Sequence, residues 1–193
     1  MLKGPDFDNA PKEIKLLALS GVPSRYWYID RSQLSPVTFK FSRQYGEPVK
    51  VPAIEQSNWI NELGKSPDFL KKPRIIGIGA EPTDDVAMGL AAYICKIALS
   101  FNLKVEMIDL AREFDPQELE VQKPNVVVLH NILAECGWDR IQRARDWLRW
   151  ADGVVRILVV AGSEPLSFFE SRLRMPINSA FFFKGQLRKV SKI

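Results

Sequence analysis

From Arg74 onward, short apolar runs alternate with longer stretches of helical periodicity. The runs RIIGIG (74–79), KVEMIDL (104–110), NVVVLHN (125–131), VRILVVA (155–161) and INSAFFF (177–183) are largely free of in/out alternation. That pattern predicts strands covered on both faces, as in a parallel sheet. Between them, DDVAMGLAAYICKIALSF (84–101), WDRIQRARDWLRWA (138–151) and EPLSFFESRLR (164–174) predict helices. Strands and helices in alternation mean an α/β domain with a mostly parallel five-stranded sheet.

Residues 1–73 read differently. Prolines at 5, 11, 23, 36, 48, 52, 67 and 73 break the chain into short pieces, so this part is expected to be an irregular N-terminal extension packing on the 74–193 core. A short helix is predicted over PKEIKLLALS, with Pro11 in its first turn and Gly21 as its stop. A second is predicted over SNWINELGK, starting at Ser57 or Asn58 and ending at Gly64. The cluster Arg25-Tyr26-Trp27-Tyr28 can stack on bases or dock the extension onto the core, and docking is the expected use.

Composition changes this picture little. The chain has 193 residues, 46% hydrophobic and 26% charged, with net charge +4. Mild basicity permits contact with nucleic acid or an acidic protein without selecting either. Two cysteines, Cys95 and Cys136, both beside apolar segments, fit a reducing cytoplasm. No apolar run approaches the roughly 18 residues of a membrane span, and no secretory leader is visible. A cytoplasmic location without membrane contact is expected.

Ligands of parallel α/β sheets bind at the carboxyl ends of the strands. After the first core strand comes GAEPTDDV, in the setting of a phosphate-binding loop, G-x-x-x-x-G-K-[ST]. Gly79 matches its first glycine. Asp84 stands for the second glycine, Asp85 for the lysine and Val86 for the hydroxyl residue. Replacing lysine by aspartate turns attraction into repulsion; one charge pair at 4 Å is worth about 1 kcal/mol in water and about 4 kcal/mol at an effective dielectric near 20. Thr83, Asp84 and Asp85 suit a helix N-terminus instead. A divalent cation held by Glu81, Asp84 and Asp85 is the less favoured alternative.

The order of elements resembles the AAA+ ATPase core, and within it the bacterial helicase loaders and transposition ATPases of the DnaC/IstB type. The likeness covers about residues 15 to 185. SGVPSRYWYID resembles the family's segment before the core, and LAAYICKIALSFNLKVEMIDL its first core helix and second strand. NVVVLHNILAE resembles the Walker B strand, with His130 and Asn131 where two acidic residues belong. The resemblance implies a three-layer P-loop-NTPase-like fold, a sensor position at Ser163, and an arginine finger at Arg172 acting on a neighbour's nucleotide. It also implies ATP hydrolysis, which the substitutions in both nucleotide motifs oppose.

Two further readings come from the residues alone. His130 and Cys136 form a candidate base–nucleophile dyad for a small-molecule enzyme on a Rossmann-like sheet. Helix 138–151 places Ile141, Ala144, Trp147, Leu148 and Ala151 on one face, with Arg145 and Arg149 opposite. With Lys184, Arg188, Lys189 and Lys192 of the basic C-terminal tail, these arginines are candidate nucleic-acid contacts, or simply a solvated face. The resulting expectation is a pseudo-ATPase without cofactor or metal. It acts as an interaction subunit or scaffold with a replication or recombination protein, as an oligomer or hetero-oligomer, with weak DNA contact possible.

Overall fold

The computed structural model describes residues 8–41, 47–71, 74–80, 86–112, 123–133, 137–150, 155–161, 180–183 and 185–187. The core elements are β4 (Arg74–Ala80), α4 (Val86–Ser100), β5 (Val105–Asp109), β6 (Val126–Leu133), α5 (Trp138–Trp150), β7 (Val155–Ala161) and β8 (Ala180–Phe183). Before them lie α1 (Lys12–Leu19), β1 (Leu34–Pro36), β2 (Phe39–Phe41), β3 (Val49–Val51), α2 (Ala53–Leu63) and α3 (Asp68–Lys71), and after them β9 (Gly185–Leu187).

Five strands form one sheet in the order β5-β6-β7-β4-β8, and each neighbouring pair is parallel. The chain steps from β4 out to the far edge at β5, returns through β6 and β7, then passes β4 to reach β8. With right-handed crossovers, the outward step through α4 and the return step through α5 put these two helices on opposite faces of the sheet. Coverage on both sides explains the unalternating run Val126–Leu129, each residue no more than 1% exposed. It also explains Ile76, Ile78 and Ile157, which are fully buried.

Helix α4 is apolar around nearly its whole circumference, with ten of its fifteen residues buried. A helix of that kind has to be covered on both sides. The sheet covers one, and the N-terminal part of the chain covers the other. Ile14, Leu17, Val22, Tyr26, Trp27, Ile29, Ile60 and Leu63 share one continuous core with Leu90, Ile94 and the strands. Gly89, Ala91 and Ala92 allow this approach because they add little bulk to the helix surface. Trp27 satisfies its buried Nε1–H on the Val22 carbonyl at 2.7 Å, so Tyr26 and Trp27 dock the extension while Tyr28 remains exposed.

The extension is more regular than its prolines suggest. Proline is compatible with the start of a helix, where its missing N–H costs no hydrogen bond. Accordingly Pro11 and Pro52 stand immediately before α1 and α2 rather than breaking them. The second helix therefore starts at Ala53, not at Ser57 or Asn58. Ser57 sits inside it and accepts from Arg31 Nη2 at 2.5 Å, while Asn61 Oδ1 accepts from Arg31 Nε at 2.8 Å. Gln56, fully buried, donates Nε2 to the Val37 carbonyl at 2.8 Å.

Two small antiparallel sheets complete the extension. Strands β2 and β3 pair with each other. Strands β1 and β9 pair Leu34 with Leu187 and Pro36 with Gly185, so the stretch expected as a basic tail begins as a strand held by the N-terminal part. At the edge of the large sheet, the Ser20 carbonyl accepts from the Met107 N–H at 3.0 Å. Gly21 follows at φ +81°, and a Cβ there would meet the Met107 carbonyl oxygen at 3.0 Å. Only glycine fits that crossing without strain.

Candidate functional site

The described carboxyl edge of the sheet centres on β5 and β6. Asp109 ends β5 and lies opposite His130 in the parallel register. Beyond Leu129, β6 is irregular: Leu129 pairs with Leu158 and Ile132 with Val160, so His130 and Asn131 together oppose one residue of β7. Asn131 absorbs the extra residue by adopting φ +63°. Asparagine tolerates that left-handed conformation better than most side chains. The bulge carries β6 on to Leu133, beyond the expected end at Asn131, because pairing with β7 resumes after it.

The bulge turns the Asn131 amide onto the neighbouring strand. Its Nδ2 donates to Asp109 Oδ1 at 2.6 Å, and the Ala111 N–H donates to the same oxygen at 2.9 Å. Arg112 Nε stands 3.4 Å from Asp109 Oδ2, on a side chain that is 83% exposed, so this ion pair adds little stability. Burial pushes the Asp109 carboxyl up. The Asn131 and Ala111 hydrogen bonds, with the charges of His130 and Arg112, outweigh it and hold the group below the ordinary range. Burial also holds the His130 imidazole below 6.5, against the attraction of Asp109 and with the repulsion of Arg112.

Helix α5 closes this edge from one side. Arg140 Nη1 donates to the Asn131 carbonyl at 3.2 Å, and Arg143 Nη1 to the Leu110 and Arg112 carbonyls at 3.3 Å each. A cavity of about 440 Å³ opens beside Asp109, Arg112 and His130, with Gly21, Pro23 and Met107 in its wall. The arrangement is a polar, cross-braced strand edge. Glu106 also lines the cavity, and the Asp109 carboxylate is already engaged by an amide, a backbone N–H and an arginine. Magnesium requires oxygen ligands, and the bulge offers an imidazole and an amide whose nitrogen faces Asp109.

The other expected residues fall as follows. Gly79 lies in β4, registered with Val160 of β7, and Val86 opens α4 with its side chain fully buried. Thr83, Asp84 and Asp85 lie outside the described residues, as do Glu81, Ser163, Arg172 and Cys136. The loop's capping role, the cation alternative, the sensor, the finger and the His130–Cys136 dyad all depend on these positions. Among the described residues, no group of three or more His, Cys, Asp or Glu side chains is placed to hold a metal. Arg145 lies over the Trp138 ring at 4.9 Å on α5, and Ile141 and Ala144 are buried as expected. Arg149 belongs to the same helix. Lys184, Arg188, Lys189 and Lys192 lie outside the described residues.

Asp109, Arg112, Arg140 and Arg143 were not singled out from the sequence. Asp109 carried a usable signal, since it stands at the carboxyl end of the strand KVEMIDL. Arg140 and Arg143 carried none, because their partners are backbone carbonyls that only the fold brings within reach.

No protein-family model and no curated protein matches the sequence. Among solved structures, the crystal structure of the DnaC helicase loader is similar to this chain with a TM-score of 0.52 and 14% identity. The match covers 84% of this chain and 100% of that one. At that identity the likeness speaks for the fold alone: the chain has an α/β architecture similar to that of the DnaC helicase loader. No helix among the described residues is long and apolar enough to cross a membrane.

Proposed function

We propose that this chain is an AAA+-like protein that does not hydrolyse nucleotide and serves as a protein–protein interaction subunit in DNA replication or recombination. One observation carries the reading: on a helicase-loader-like fold, the strand end that should present two acids presents the His130–Asn131 bulge, with Asn131 bound to Asp109. Hydrolysis of a phosphoanhydride needs magnesium held by a carboxylate and a group that orients water. An asparagine amide that donates to Asp109 supplies neither. Asp85 at the lysine position of the phosphate loop adds repulsion where a triphosphate would bind.

Calorimetric titration with magnesium-ATP tests this reading. No binding at micromolar ATP and no phosphate release are expected. Micromolar, magnesium-dependent affinity would refute the pseudo-ATPase assignment.

A second reading, accessory binding of nucleic acid, is favoured by the Arg145–Trp138 pair, whose Trp138 is 57% exposed. An exposed aromatic ring beside a cation suits a base and its phosphate. If this reading holds, Trp138→Ala weakens single-stranded DNA binding and lowers its salt dependence little, whereas Arg145→Ala lowers both. Binding unchanged in both variants would remove it.

A further inference from the structure

We propose that the outer face of the β2–β3 hairpin is a contact for the phosphate backbone of a nucleic acid, with Lys40 and Lys50 as the cations that hold it. This contact rests on the reading of the chain as an accessory nucleic-acid binder. It places a second surface on the N-terminal extension, on a different element from α5.

The hairpin has an apolar side and a cationic side. Phe39 is buried and pairs with Val51, and the next pair is Lys40 with Lys50. Successive residues of a strand point to opposite faces, so the lysines turn away from the side that carries Phe39. Both are exposed. Residues directly opposite in an antiparallel pair have Cβ atoms about 5 Å apart, and like charges so placed destabilise the pair.

No acid offsets that repulsion. Among the described residues, ion pairs join Lys65 to Glu62, Lys96 to Glu13 and Arg112 to Asp109. They leave out both lysines, and also Glu47 and Glu55, the acids nearest to them in the chain. Residues 42–46, between the two strands, are Ser-Arg-Gln-Tyr-Gly and include no acid. The lysines are also presented on a fixed backbone. Gln56 of α2, fully buried, donates Nε2 to the Val37 and Val51 carbonyls at 2.8 and 3.4 Å, and the Ala53 N–H donates to Thr38 Oγ1 at 3.0 Å. These bonds tie the base of the hairpin to α2, so binding there requires little new ordering.

The make-up of the face selects a polyanion. A protein partner needs a buried aromatic or aliphatic anchor. Thr38 and Pro48, the exposed residues two positions before Lys40 and Lys50, offer no large one. A phosphodiester chain needs only the cations, because its binding gains from the counterions it releases.

Anisotropy of a fluorescein-labelled oligothymidylate, titrated with the full chain at several salt concentrations, tests the contact. Each phosphate contact on a single strand contributes about 0.7 to the slope of log affinity against log salt. The double variant Lys40→Gln, Lys50→Gln should therefore lower that slope by about 1.4 and weaken binding about tenfold or more. Lys50→Glu turns a like-charge pair into an opposite-charge one, so its thermal midpoint should hold or rise while its oligonucleotide affinity falls. Unchanged affinity and slope in the double variant, or no oligonucleotide binding by the native chain, overturns the proposal. So does equal, equally lysine-dependent binding of polyglutamate, which would assign the face to an acidic protein. Arg145→Ala separates the two surfaces. If it weakens binding and the double lysine variant does not, the hairpin contact fails while the reading built on α5 stands; the reverse result sinks that reading and keeps the hairpin.

Discussion

The side-chain amide of Asn131 donates to Oδ1 of Asp109 at 2.6 Å and closes the carboxyl ends of β6 and β5 onto each other. The contact depends on two unusual things at once, a bulge in β6 and a non-glycine residue at positive φ. Strained backbone of this kind persists where surrounding contacts over-determine it.

Substitutions at this position separate the two contributions. Asn131→Gly keeps the left-handed conformation and loses the amide, and should cost about 1 kcal/mol. Asn131→Val loses the amide and forces a β-branched residue into positive φ, for a total of roughly 2 to 4 kcal/mol. Urea denaturation of both variants measures the difference.

The single histidine gives a clean pH signal. Because burial holds His130 below 6.5 in the folded chain, the unfolded chain takes up the proton first as pH falls. Its contribution to stability is therefore complete above 6.5 and is lost as pH falls through 6.5 toward the folded value. Urea midpoints should decline as pH falls from about 7 through 6.5, and His130→Gln should flatten that decline. The Asp109 contribution runs the same way at lower pH, lost only as pH falls below the ordinary carboxylate range.

Gly21 is the point where the extension crosses the edge strand. Gly21→Ala places a Cβ 3.0 Å from the Met107 carbonyl oxygen at φ +81°. A loss of roughly 1 to 3 kcal/mol is expected, read as a lower thermal midpoint. Destabilisation below a few tenths would show that the crossing relaxes freely.

Cys95 is fully buried in α4, and burial pushes its thiol up to about 12. In a Cys136→Ser background it is the only thiol left. It should ignore a thiol reagent at mildly alkaline pH until denaturant unfolds the chain. Rapid labelling of the native protein would mean that α4 is accessible.

Much of the core could be read directly. The run at 155–161 is β7 to the residue, and the runs at 74–79 and 104–110 match β4 and β5 within one residue at each end. Buried parallel strands are continuous apolar segments bounded by polar turns, so their limits are local properties. The helix over Lys12–Leu19 was legible with Pro11 at its start, but the one beginning at Ala53 was harder, because proline marks both a helix start and a loop. The site was harder still: KVEMIDL and NVVVLHN showed an acid and a histidine at strand ends, but not that they face each other.

The amino-acid sequence by itself determined the α/β class, the five core strands and the absence of the expected charge pattern at Asp84, Asp85, His130 and Asn131. Those are matters of residue type and periodicity. Only the tertiary structure decided the strand order β5-β6-β7-β4-β8, the pairing of β1 with β9, and the bulge that turns Asn131 onto Asp109. Each of these joins residues distant in the chain, and it is stabilised by packing and hydrogen bonds between elements that have no local signature.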